Sequence, residues 1–209
     1  MDDLDQNNTI SPTDIYLSVP VRLSNKTNQD LHKNTYPYDN QIFLSKEPVG
    51  PVILIQGLRF YYSPSDICNY VLSFGHLCYV ANLFVSAISP TFVLLLKTHS
   101  IESARCLMSE LLLHQNPICS MDSLDFQYVH SVVFNSYTLN QRYADFLNSK
   151  SLYDGQCPIC LIKLTSDQLL FMLPCSHLLH AKCMTKSAQW KCPICRDTPI
   201  SSLESTSCE

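Results

Sequence analysis

Six cysteines and two histidines fall in the order Cys157-x2-Cys160-x14-Cys175-x1-His177-x2-His180-x2-Cys183-x8-Cys192-x2-Cys195, and no other feature of the chain restricts its fold as much. Each Cys-x2-Cys pair is a knuckle that presents two sulfurs to one tetrahedral ion. Thiolate and imidazole donors together suit Zn2+. Eight such donors make two four-ligand sites, so two zinc ions are the expected cofactors. Of the chain's eleven cysteines, six crowd into this segment with histidines between them, which is metal spacing rather than disulfide spacing. The opening Met1-Asp2-Asp3-Leu4-Asp5 has neither the basic nor the apolar stretch of a signal peptide, so a reducing compartment, the cytoplasm or the nucleus, is expected.

Residues 1–49 are rich in Asp, Asn, Ser and Thr and hold no sustained period of 2 or 3.6, and the expectation is a disordered tail. Its apolar pieces, Ile15-Tyr16-Leu17 and Ile42-Phe43-Leu44, read as incidental hydrophobes. From Val52 the texture changes. Val52-Ile53-Leu54-Ile55 is a buried-strand run closed by Gly57. Ser63-Pro64-Ser65-Asp66 then starts a helix, with Ser63 as N-cap, Pro64 at N1 and Asp66 at the positive end of the dipole. Ile67, Tyr70, Val71 and Phe74 share one face of that helix, and Gly75 is placed to end it. Cys78 to Val85 and Phe92 to Leu96 are strand-like and are joined by a Ser89-Pro90 turn. A second helix capped by Ser100 should turn Ile101, Ala104, Met108, Leu111 and Leu112 inward, and Phe126 to Phe134 closes the series as a strand.

The order β-α-β-β-α-β over 50–136 is that of a ferredoxin-like (RRM-like) domain, giving an α+β chain. An RNA-binding sheet of this kind needs exposed aromatic rings on its central strands. Here the first strand offers Leu54 and Leu58, and the third only Phe92 without a basic-Gly pair before it. With a net charge of −4 there is also no excess of cations for phosphates, so no nucleic-acid partner is expected. The stretch Ile67 to Leu96 contains no Asp, Glu, Lys or Arg, but His76, Asn82 and the Ser-Pro break divide it into strand-length runs, and no membrane partner is expected. Cys68, Cys78, Cys106 and Cys119, together with the lone His76, His99, His114 and His130, have no ligand-spaced partner; the cysteines read as small buried hydrophobes. Residues 137–154 are a polar linker with one apolar patch, Tyr143 to Leu147, and 198–209 a second disordered tail.

The eight-ligand order at 155–197 resembles the RING family of the H2 subtype. The resemblance implies a cross-brace in which Cys157, Cys160, His180 and Cys183 hold the first zinc and Cys175, His177, Cys192 and Cys195 the second. Both ions would then be fully coordinated by protein, structural, and unable to activate water. The resemblance further implies an E3 ubiquitin ligase that binds a ubiquitin-charged conjugating enzyme (E2) and holds the thioester in a reactive pose, catalysis by positioning with no catalytic residue of its own. Ile159 and Pro193, inside the two knuckles, resemble the family's apolar E2 contacts. Arg196 resembles the residue that hydrogen-bonds both E2 and ubiquitin, a task suited to a guanidinium with its several fixed donors. The family usually has Trp four residues after the sixth ligand. Here that position is Ser187, and Trp190 would stand on nearly the same face if the stretch were helical.

The combination of a split β-α-β domain without stacking aromatics, a connector and an H2 finger is similar to the BRAP/IMP family of cytoplasmic ubiquitin ligases. The residues that carry the likeness are Val52 to Leu58, Tyr62 to Asp66, Phe92 to Lys97 and the finger. Members of that family continue into a ubiquitin-binding zinc finger and a coiled coil, whereas this sequence runs only from Ser201 to Glu209, with a solitary Cys208, so neither module is expected. The partners implied are an E2, ubiquitin and a protein substrate. The alternative, prompted by Ser187, is a non-catalytic zinc-binding scaffold or decoy.

Overall fold

The computed structural model describes residues 21–24, 40–86, 89–113, 123–133, 155–175 and 177–196. Expectations that fall elsewhere lie outside the described residues: the tail apart from 21–24 and 40–49, the whole linker 137–154 with its Tyr143 to Leu147 patch, His114, Cys119, Phe134, and the segment after Arg196. The elements are β1 (Val21–Ser24), β2 (Asn40–Ser45), β3 (Val52–Arg59), α1 (Pro64–Leu72), β4 (Cys78–Val85), β5 (Thr91–Thr98), α2 (Ile101–Leu113), β6 (Asp125–Val133), β7 (Leu170–Met172), β8 (Leu178–His180) and a single helical turn, α3 (Ala181–Met184).

All eight strands belong to one sheet, in the order β1-β2-β6-β3-β5-β4-β7-β8. Its middle, β6-β3-β5-β4 with α1 and α2 in the connections, is the β-α-β-β-α-β unit read from the sequence. Its three strand pairings are all antiparallel ladders that meet in β3 and β5. Four details depart from the expected pattern. β3 does not stop at Gly57 but runs through it to Arg59, with a register shift against β5 between Ile55 and Leu58. Gly57 has φ +91°, the glycine conformation a bulge uses to keep a strand going. α1 ends at Leu72 with Ser73 as its C-cap, although Phe74 beyond it stays buried. On α2 the inward face is Ala104, Leu107, Met108 and Leu111, whereas Ile101 and Leu112 are exposed, a rotation that puts Leu107 in the core.

The fourth departure lies in the expected tail. Residues 40–45 form β2, antiparallel to β6, and β1 pairs with β2 in parallel. Ile42 is 0% exposed, so Ile42-Phe43-Leu44 are strand positions whose partner is about 90 residues downstream, beyond the reach of local periodicity.

The start of α1 follows the reading closely. The Ser63 hydroxyl accepts from the Asp66 backbone N–H at 3.2 Å, and the Asp66 carboxylate accepts from the Ser63 N–H at 2.9 Å, a reciprocal capping box. Cys68 and Cys78 are buried as expected, and burial raises the Cys78 thiol to about 12; Cys106 is exposed instead. His76 lies 3.5 Å from Glu110, and His99 stacks on Tyr79.

Every residue of β4 is buried. In a four-strand sheet of this order β4 would be an edge, where charged side chains normally stand guard. Here β7 pairs with its outer side in parallel, Val80 to Leu170, Ala81 to Phe171 and Asn82 to Met172. The charge-free sequence around β4 is therefore that of an inner strand. No helix among the described residues is long and apolar enough to cross a membrane.

Candidate metal centre

The segment that contains the eight ligands is built on the outer end of this sheet. Its first knuckle closes a small hairpin: Gln156 and Lys163 bridge, Cys157 N–H donates to Ile162 O at 2.8 Å, and Leu164 N–H donates to Gly155 O at 3.0 Å. Then β7 and β8 form an antiparallel hairpin whose turn contains Cys175 and His177, with His180 ending β8 and Cys183 on α3. The second knuckle follows Trp190.

The two Cys-x2-Cys turns share one backbone device. Leu161 N–H donates to Cys157 O at 2.8 Å and Arg196 N–H donates to Cys192 O at 2.9 Å. Both donors are left-handed, with φ 61° at Leu161 and 65° at Arg196. Glycine adopts that conformation without cost and these side chains do not, so each knuckle holds some backbone strain immediately after its second sulfur.

Two groups of donor atoms result, Cys157, Cys160, His180 and Cys183 in one and Cys175, His177, Cys192 and Cys195 in the other, each with its four atoms within 4.8 Å of one another. The pairing is the interleaved one implied by the resemblance. His180 turns Nδ1 to Cys160 Sγ at 3.3 Å and to Cys183 Sγ at 3.9 Å. His177 Nδ1 is 3.4 Å from the sulfurs of both Cys175 and Cys192. A tetrahedral zinc with Zn–S of about 2.3 Å and Zn–N of about 2.0–2.1 Å has a sulfur–nitrogen edge of about 3.6 Å, so both groups have the size of that tetrahedron. Three sulfurs and one imidazole per site also match the ion's chemistry.

Within the second group one sulfur is favoured as the anion at the expense of its neighbour. Cys192 is lowered to about 5, chiefly by the hydrogen bond from Cys175, whose own thiol that same bond raises. Ile194 N–H also points at Cys192 Sγ, 3.4 Å away. A dication takes the place of such a shared proton, which is why ligation releases protons. With four protein donors in each group, no coordination position is left for substrate or water. The chain can thus bind two zinc ions, both closed.

Of the residues expected to face an E2, Ile159 is 40% exposed and Pro193 and Arg196 are exposed. Leu161, Ile162 and Ile194 also expose apolar surface on the two knuckles. Trp190 does not belong with them. It is only 6% exposed, and it faces the other half of the molecule. Its ring centroid is 5.0 Å from that of Phe92 on β5 and 6.1 Å from that of Phe171 on β7, and its indole N–H donates to the Tyr62 carbonyl oxygen at 2.8 Å. The condition for Trp190 to replace the usual anchor was a helix through 187–190. The helical turn ends at Met184, and the Ser187 hydroxyl instead donates to Gln189 O at 2.7 Å. Local spacing could not indicate the first-domain partners of Trp190, Phe92 and Tyr62, which lie about a hundred residues earlier or more. The apolar run Leu169 to Leu173, longer than two small knuckles require, was the one sequence signal that this segment joins a larger core.

Comparison with known proteins agrees with this geometry. Residues 155–196 match the family model described as "Ring finger domain". Over 50 residues the chain is 34% identical to a mouse protein named E3 ubiquitin-protein ligase RNF181, which covers 23% of this chain and 30% of the relative. The rat protein of the same name is 35% identical over 43 residues, 20% of this chain and 26% of the relative. The chain thus spans less than a third of the length of these curated relatives. Among solved structures, the NMR structure of the RRM3 domain of Hrb1 aligns with 50% of this chain and 96% of its own at 18% identity and a TM-score of 0.33, too loose a likeness to bear on the fold. Residues 155–196 carry a RING finger with the H2 ligand order and two sites fit for zinc.

Proposed function

We propose that the chain is a RING-type E3 ubiquitin-protein ligase whose finger binds an E2 through Ile159, Pro193 and Arg196 and positions the charged ubiquitin for transfer to a protein substrate. The observation that carries this reading is the exposure of those three residues on two knuckles whose eight ligands leave no open metal position. Such a finger offers a surface rather than a reactive group. Apolar Ile159 and Pro193 supply contact area, and the exposed Arg196 guanidinium supplies several donors to partner carbonyls. Zinc, when bound, holds the knuckles in place, and transfer is accelerated by orienting reactants. The names of the RNF181 relatives support the same activity.

In this reading the ferredoxin-like domain at 50–136, or the N-terminal tail, selects the substrate, and the chain is akin to the BRAP/IMP ligases of the cytoplasm. The scaffold reading keeps one specific support: position 187 is a serine bonded to its own loop, and the only tryptophan is buried away from the finger's outer surface. Zinc-loaded protein incubated with ubiquitin, E1, ATP and a panel of E2 enzymes decides between them. The ligase reading predicts autoubiquitination with at least one E2 and its loss in Arg196→Ala. No ubiquitin chains with any E2 would sink the ligase reading and leave the scaffold reading in its place.

A further inference from the structure

The two metal sites are not equally dependent on the finger itself. In the first, Cys157 and Cys160 sit on a hairpin closed by its own backbone hydrogen bonds, while His180 ends β8 and Cys183 lies on α3, which packs on α1, so two of the four ligands are anchored on the first domain. In the second, Cys175 and His177 lie in the turn of the β7–β8 hairpin, whose inner strand is paired to β4. Its other ligands, Cys192 and Cys195, follow a segment pinned by Trp190, two residues before Cys192, to Phe92 and to the Tyr62 carbonyl oxygen. All four ligands of the second site are therefore held by chain that is anchored on residues 52–133.

We propose that Phe92, on β5 of the first domain, is a positioning residue for the second zinc site, acting through Trp190. Phe92 is 0% exposed, and its ring neighbours are Phe60 and Trp190 rather than a metal ligand. Its ring fills the space on which the indole rests, and the indole fixes where the second knuckle begins. Without that support the indole keeps its stacking on Phe171, and the segment between α3 and Cys192 keeps short-range bonds within the finger: Thr185 N–H to Ala181 O, Lys186 N–H to Cys183 O, Ser187 N–H to Met184 O and Lys191 N–H to Gln189 O, with the Thr185 hydroxyl to Lys182 O and the Ser187 hydroxyl to Gln189 O. Supporting groups outside the ligand shell typically change metal affinity by about 10–100-fold when removed. The coupling works in both directions, since whatever holds the knuckle for zinc is in turn held by zinc. The inference rests on the two zinc sites and is independent of ligase activity.

The test uses the full chain loaded with zinc and mixed with excess 4-(2-pyridylazo)resorcinol, with zinc release followed by absorbance and the emission of Trp190, the only tryptophan, recorded in parallel. Wild type should release two zincs per chain, which verifies the metal reading separately. Phe92→Ala should release one of the two about 10-fold or more faster, with a red shift of the indole emission in that phase and the other zinc leaving at the wild-type rate. Leu111→Ala is the control. Leu111 is also 0% exposed, on α2, which packs on β3, β5 and β6, and its loss should leave both rates unchanged. Equal acceleration of both zincs, or the same acceleration in Phe92→Ala and Leu111→Ala, would mean that release follows overall stability and would overturn the proposal. Unchanged release from Phe92→Ala would overturn it too. If Phe92→Ala does not fold, Phe92→Leu carries the same comparison, and Trp190→Phe, read by release alone, should accelerate the same single zinc.

Discussion

Gly57 marks where β3 would otherwise end. A Cβ built there would stand 2.8 Å from the backbone oxygen of Ser123, at a φ of +91° that side chains rarely adopt. Because the obstacle is backbone and not a flexible side chain, Gly57→Ala should destabilise the fold by about 1–3 kcal/mol, read as a lower urea midpoint with an unchanged m-value. Leu161 presents the opposite case. It is 69% exposed, so its side chain contributes little burial, yet it occupies a left-handed position that glycine would fill without strain. Leu161→Gly should therefore leave the zinc-loaded finger as stable or more stable, by up to about 1 kcal/mol, in a denaturant titration at fixed zinc. A clear loss of stability would show that Leu161 packs against something its exposure does not reveal.

At the level of elements, α1 was the most legible part of the first domain because its signals are local: a cap, a proline at N1, an acid at N3 and a face of apolar residues within one stretch of chain. Ser63→Ala removes both the hydroxyl acceptor for Asp66 N–H and half of the capping box, and should cost about 1 kcal/mol in thermal or urea unfolding. The metal ligands were legible for the same reason, since spacing alone brings knuckle sulfurs together. What was not legible is non-local. β2 depends on β6, β7 depends on β4, and Trp190 depends on Phe92 and Tyr62, and no window of 11–18 residues contains both members of any of these pairs. On α2 the expected Ala104, Met108 and Leu111 are buried, but Leu107 takes the place of Ile101 and Leu112 for a related reason: its apolar residues surround more than one side, and the sheet selects which of them face it.

Across the whole molecule, finger and first domain share one sheet and one apolar core that runs from Ile42 through β3–β5 to Phe171, Leu179 and Trp190. A segment of about forty residues is too small to form a large core, and zinc ligation and docking on β4 together supply what it lacks. β4 in turn is relieved of being an edge. This mutual dependence explains why the apolar, charge-free stretch around β4 is compatible with a folded domain. It also fixes the finger's orientation relative to the domain proposed to select the substrate. Everything rests on the two groups of four ligands, so the most direct measurement is native mass spectrometry of the full chain with and without chelator. The account predicts a mass increment of two zincs per chain, falling to one in Cys192→Ser. An increment of zero or one in the unaltered chain would contradict it.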